Sequence, residues 1–93
     1  MLESSVERKF TKAIKQVGGR AVKFVSPGNA GMPDRLVLLP GGRACFVELK
    51  QPGRKPTALQ LLQHARLRAL GFEVSVIDSP AAIDNFVKEL MLS

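Results

Sequence analysis

Apolar residues recur with a helical period near the start of the chain, over residues 5–17. Five of them share one side of the predicted helix, at spacings of three, four and seven residues: Val6, Phe10, Ala13, Ile14 and Val17. That stripe is typical of an amphipathic helix packed against a core. The pair Gly18-Gly19 ends the helix.

The next apolar segments are short and predict a meander of three β-strands. The first is Arg20–Ser26, in which polar and β-branched residues alternate. A loop rich in glycine and proline, residues 27–33, leads to the second strand, Asp34–Leu39. The third is Ala44–Lys50, and Pro40-Gly41-Gly42 between them is typical of a hairpin turn.

After a second loop over residues 51–56, the pattern predicts helix, strand and helix. Thr57 is the N-cap of a helix that ends near Leu70, before Gly71. Phe72–Ile77 is a fourth strand. Six residues define the last helix: the N-cap Ser79, the first residue Pro80, and the apolar stripe Ile83, Phe86, Val87 and Leu90.

The resulting order is αβββαβα, an α/β fold. Strand segments that are apolar on both sides, such as Leu36–Leu39, indicate a sheet covered by helices on both faces. A length of 93 residues predicts one domain over residues 1–93. The sequence contains no apolar run of roughly 20 residues and no apolar leader, so we expect a cytoplasmic protein that does not bind membranes. The single cysteine, Cys45, cannot form an internal disulfide or a multi-thiolate zinc site, and we expect it to be a small buried residue.

The charge pattern points to a polyanionic partner. The formal net charge is +6, which favours nucleic acid. Two stretches hold basic residues and no acidic ones, the first between Glu7 and Asp34 and the second between Glu48 and Glu73. Isolated carboxylates inside such a basic surface repel phosphates, unless they bind a metal ion.

The hairpin register decides whether two of these carboxylates meet. A three-residue turn pairs Leu39 with Arg43, which places Asp34 directly opposite Glu48. Opposed residues share a face of the sheet, with β-carbons about 4.5–5.5 Å apart, and Lys50 lies on the same face. A two-residue turn would put the two carboxylates on opposite faces.

The motif formed by Pro33-Asp34 and, fourteen residues on, Glu48-Leu49-Lys50 resembles that of the PD-(D/E)XK nuclease superfamily. With Glu7 on the preceding helix and Gln60 on the following one, the chain looks more narrowly like a stand-alone VRR-NUC domain (virus-type replication-repair nuclease). The resemblance implies a restriction-endonuclease-like mixed sheet and Mg²⁺ or Mn²⁺ as cofactor, with no small-molecule cofactor. It also implies roles for this chain's residues. Asp34, Glu48 and the Leu49 carbonyl hold the metal, Glu7 joins directly or through water, Lys50 positions or activates the attacking water, and Gln60 orients the site.

Some of these residues have simpler explanations. Ser4-x-x-Glu7 is also a capping box, and Gln60 can be part of an ordinary polar helix face. His64 fits a surface helix position better than a ligand position. Four basic residues are candidates for the DNA-binding rim of the site: Lys23, Arg54, Lys55 and Arg66.

These observations favour a metal-dependent, structure-selective DNA endonuclease. Resolving a four-way (Holliday) junction requires two cuts of opposite polarity, which a two-fold dimer provides, and stand-alone members of the family behave as such dimers. We therefore expect a homodimer that cuts branched DNA. The alternatives are a flap or nicking nuclease of the same family and a non-catalytic basic module that binds nucleic acid.

Overall fold

The computed structural model describes residues 5–92. It contains three α-helices and four β-strands: α1 (Ser5–Gln16), β1 (Arg20–Lys23), β2 (Arg35–Leu39), β3 (Arg43–Leu49), α2 (Ala58–Ala69), β4 (Val74–Ile77) and α3 (Pro80–Leu92). The predicted order αβββαβα is confirmed. The largest difference in bounds is at β1, which ends three residues before the predicted Ser26. None of the helices within residues 5–92 has the length and apolar character needed to cross a membrane.

The four strands form one mixed sheet in the order β1-β2-β3-β4. The first three are antiparallel, which confirms the predicted meander, and β4 runs parallel to β3. Leu39 pairs with Arg43 and Arg35 with Val47, so the predicted three-residue register is confirmed. The turn is one 3-10 segment over Pro40–Gly42. Gly41 and Gly42 have φ values of 81° and 80°, a backbone region that favours glycine.

The main hydrophobic core lies between one face of the sheet and helices α1 and α3. Phe10 of α1 and Phe86 of α3 meet there, with ring centroids 5.7 Å apart. The sheet contributes alternate residues of β3, including Cys45 and Val47, as the period of two requires. The prediction that Cys45 is buried is confirmed.

Helix α2 lies on the opposite face of the sheet and covers it only in part. Phe46 packs there edge-to-face between Phe24 and Phe72, and α2 buries His64 and Leu67. Leu38 and Val76, which point to the same face, remain 39% and 36% exposed. The expectation that helices cover both faces therefore holds for one face completely and for the other only near α2.

The loop before β2 is packed onto α2, and this contact fixes the start of the strand. The Gln63 side-chain amide donates to the Ala30 carbonyl oxygen at 3.1 Å. Gly31 has φ +89° and lies so close to Leu59 that a Cβ would approach its atoms to 2.9 Å. Only glycine fits both demands. Asp34, three residues further on, is thereby held at the edge between the sheet and α2.

Candidate metal centre

Two carboxylates converge where β2 begins and β3 ends. Asp34 immediately precedes β2, and Glu48 is the penultimate residue of β3. The register of Arg35 with Val47, continued by one residue, sets Asp34 against Glu48 on the α2 side of the sheet. The Asp34 carboxylate is tied to the adjacent strand, because its Oδ1 accepts a hydrogen bond from the Leu49 N–H at 2.9 Å.

Glu48 is a buried carboxylate with incomplete partners. Its Oε2 accepts a long hydrogen bond of 3.4 Å from the Gln60 side-chain amide and lies 3.9 Å from Lys50 Nζ. Its Oε1 is buried and has no hydrogen-bond partner among residues 5–92. Burial, and then the nearby Asp34 charge, raise the pKa of Glu48 to about 7, and Lys50 and Arg35 offset this only partly. The pair of carboxylates therefore lacks positive charge, and a cation would supply it.

Gln60 is held in place by the N-terminal cap of α2. The Gln60 side-chain oxygen accepts a hydrogen bond from the Thr57 backbone N–H at 2.9 Å. The Gln60 backbone N–H donates to Thr57 Oγ1 at 3.2 Å. This is a reciprocal capping box. Because the amide oxygen is occupied by the cap, the amide nitrogen is turned to Glu48. The predicted N-cap at Thr57 is confirmed, and Gln60 lies beside the carboxylates rather than on a free polar face.

Glu7 reaches the site through an arginine that the sequence analysis did not identify. Arg35 is buried, and its guanidinium lies 3.2 Å from Glu7 Oε2. The same guanidinium donates to the Asp34 carbonyl oxygen at 3.0 Å and lies 3.5 Å from Asp34 Oδ2. The sequence did contain a signal for the burial of Arg35, since its spacing of two residues from Val37 places it on the same strand face as that core residue. The predicted capping box between Ser4 and Glu7 involves Ser4, which lies outside the described residues. A role for Glu7 in metal binding stays a prediction.

The prediction that His64 is a surface residue is wrong. The His64 side chain has 0% exposure, and its Nε2 lies 3.7 Å from Glu48 Oε1. Burial, together with the charges of Arg68 and Lys50, lowers the pKa of His64. The leucines of α2 gave no clear guide to its buried side, because Leu59 and Leu62 are each 46% exposed whereas Leu67 is buried.

The donors around this point suit a hard divalent cation. Within residues 5–92, no group of three or more histidine, cysteine, aspartate or glutamate side chains is arranged to hold a metal ion. Mg²⁺ keeps several waters and is often bound by one or two carboxylates, so Asp34 and Glu48 with a backbone carbonyl fit it better than they fit zinc. The thiol of Cys45 belongs to the core on the other face of the sheet.

The four basic residues predicted to form a DNA-binding rim lie on three segments of the chain. Lys23 is the last residue of β1 and pairs with Arg35, so it lies on the face of the sheet opposite to Asp34. Arg54 and Lys55 lie in the loop between β3 and α2, and Arg66 is on α2. All four are exposed. We call them the basic rim.

Comparison with known proteins gives two similarities that cover most of the chain. A protein of Acyrthosiphon pisum secondary endosymbiont phage 1, named "Putative nuclease p44", is 56% identical over 77 residues, which are 83% of this chain and 83% of that protein. A solved structure described as "VRR_NUC domain" superposes with a TM-score of 0.84 and 34% sequence identity, and covers 89% of this chain and 90% of its own. No protein-family model matches the chain.

Proposed function

The chain belongs to the VRR-NUC family of nucleases, and on that premise we propose that it hydrolyses DNA phosphodiester bonds with Mg²⁺ or Mn²⁺ as cofactor. The observation that carries this proposal is the convergence of Asp34 with the buried Glu48, whose pKa is raised by burial and by the Asp34 charge. Two carboxylates at the same end of the two central strands, with a net shortage of positive charge, form a site for a divalent cation.

Each residue of the site has a distinct part in this reaction. Asp34, Glu48 and the Leu49 carbonyl hold the cation. When bound, it acidifies a water and neutralises charge on the phosphate. Lys50, whose side chain is 19% exposed, faces the same space and positions the attacking water or stabilises the phosphate charge. Gln60 holds Glu48 Oε2 in orientation through its amide nitrogen.

The rival function is a non-catalytic module in which the carboxylates serve as ion-pair partners of basic residues. The distances around Glu48 are inconsistent with this rival function. The Lys50 ammonium is 3.9 Å away, beyond the usual length of a charge-assisted hydrogen bond. A carboxylate kept only for ion pairing would not be buried with a raised pKa, because an effective partner lowers that pKa.

The substrate is DNA, and we propose that it is branched. The net charge of +6 and the exposed side chains of the basic rim favour binding to phosphates. The described residues provide one such site in each chain. Two cuts of opposite polarity at a four-way junction therefore require a second copy of the chain, related by a two-fold axis.

The surface that fits this dimer is an exposed apolar stripe on α2. Leu59, Leu62, Ala69 and Leu70 recur at helical spacing along one side of the helix and its C-terminal end, with Arg66 between them, and all are exposed. Sedimentation at micromolar concentration tests this assembly. We expect a dimer that Leu62→Glu dissociates, whereas a monomeric wild-type protein that prefers flaps to junctions contradicts both the dimer and the junction assignment.

One assay tests the reaction itself. The purified protein is incubated with labelled four-way junction, flap and linear duplex DNA in Mg²⁺, Mn²⁺ or EDTA. We expect cleavage with either metal, none in EDTA, and a preference for the junction. Asp34→Asn should be inactive, whereas Asp84→Asn, the same chemical change on an exposed position of α3, should retain full activity. Cleavage in EDTA, or equal activity of the two variants, contradicts the proposed site.

A further inference from the structure

His64 is a polar ring at a position that the fold shields from solvent. It is fully buried on the side of α2 that faces the sheet, four residues after Gln60 and three before the buried Leu67. These spacings place all three on one side of the helix. A buried polar group without a hydrogen bond destabilises the folded state, so an apolar residue would be more stable at this position.

The unmatched polar atoms of His64 and Glu48 face each other. Neither ring nitrogen of His64 has a hydrogen-bond partner among residues 5–92, and Glu48 Oε1 is likewise buried and unmatched. The ring Nε2 lies 3.7 Å from that oxygen. An N–H···O hydrogen bond spans about 2.7–3.2 Å, so an approach of about 0.5–1 Å satisfies both atoms at once.

We propose that His64 is a positioning residue that fixes the Glu48 carboxylate by donating a hydrogen bond from its Nε2–H to Oε1. The inference rests on the proposed metal-dependent function and deepens it. Oε1 faces His64, whereas Oε2 lies near Gln60 and Lys50. A hydrogen bond at Oε1 therefore leaves Oε2 directed to the space next to Asp34. A hydrogen bond of this kind behind a metal ligand typically changes metal affinity 10- to 100-fold.

A simpler explanation is that the imidazole only fills space beneath α2. Two substitutions distinguish this explanation from the positioning role. His64→Phe keeps an aromatic ring but removes both nitrogens, and His64→Gln keeps a donor but not the ring. If His64 only packs, the Phe variant should bind metal normally. If His64 positions Glu48, the Gln variant should be the better of the two.

The metal measurement is titration of Mn²⁺ alone into DNA-free protein by calorimetry, at one fixed pH. We expect Mn²⁺ affinity to fall about 10- to 100-fold in His64→Phe and to recover to within a few-fold of wild type in His64→Gln. Thermal unfolding in EDTA should show that His64→Phe still unfolds cooperatively, so that loss of the fold does not explain its weaker Mn²⁺ binding. Unchanged Mn²⁺ affinity in a folded His64→Phe protein overturns the proposal.

A second measurement needs no metal and separates this proposal from the proposed function. The chain has one histidine, so ¹⁵N-histidine labelling reports His64 alone. We expect the hydrogen on Nε2, with a downfield proton signal that moves upfield in Glu48→Ala. The hydrogen on Nδ1, or a signal unaffected by Glu48→Ala, overturns the positioning role whether or not metal binds. If wild type gives the expected histidine signal but does not bind Mn²⁺, the hydrogen bond is supported and the metal-dependent function is refuted instead.

Discussion

Replacing Glu48 with glutamine should stabilise the metal-free protein at alkaline pH. Burial and Asp34 raise the pKa of Glu48 from an ordinary 4.5 to about 7, so the folded state holds this proton more tightly than the unfolded chain does. The associated stability is fully present below pH 4.5 and is lost as the pH rises through about 7. At about 1.4 kcal/mol for each tenfold change in proton affinity, the full loss is about 3 kcal/mol.

Thermal unfolding in EDTA at pH 5 and pH 8.5 measures this loss directly. For a domain of this size, about 3 kcal/mol corresponds to about 10–20 °C in Tm. Between pH 5 and pH 8.5, the Tm of wild type should fall relative to the Tm of Glu48→Gln by most of this amount. Glu89→Gln, the same change at an exposed position of α3, should follow wild type. Parallel pH profiles for wild type and Glu48→Gln would refute the assignment of a strained, buried carboxylate at this point.

Three further substitutions separate catalysis, binding and stability. Asp34→Asn should abolish cleavage and tighten DNA binding in EDTA by about two- to fivefold, because it removes a negative charge facing phosphates; weaker binding by fluorescence anisotropy contradicts this. Lys50→Ala should lower the single-turnover cleavage rate by about 100-fold or more, while calorimetry shows Mn²⁺ affinity that is not reduced. Glu7→Gln should lower the unfolding free energy in urea by about 1–2 kcal/mol, since it leaves the buried Arg35 guanidinium with less compensating charge; an unchanged midpoint contradicts the structural role of that pair.

Much of the fold could be predicted from local pattern because each element carries its own signals. The three-residue turn at Pro40–Gly42 fixes the register of the hairpin, and the register places Asp34 against Glu48. The period of two then sets Lys50 on the same face. This part of the site depends only on neighbouring strands, so short-range rules were sufficient.

The other parts of the site depend on contacts between elements that are far apart in sequence. Arg35 pairs with Glu7, 28 positions away, and no local pattern encodes that ion pair. Helix α2 misled the analysis for a related reason, since most of its leucines are exposed while its histidine is buried. His64 is buried beside Glu48 of β3, a contact between elements that exists only in the folded chain.

Crystals soaked in Mn²⁺ and measured for anomalous scattering give the most direct test of the central claim that Asp34 and Glu48 hold the catalytic cation. The account predicts an anomalous peak bonded to an oxygen of each carboxylate and to the Leu49 carbonyl, and no peak at this place in crystals of Asp34→Asn. A protein that cleaves DNA in Mn²⁺, yet shows the ion bound elsewhere or shows no dependence of the peak on Asp34, would contradict it.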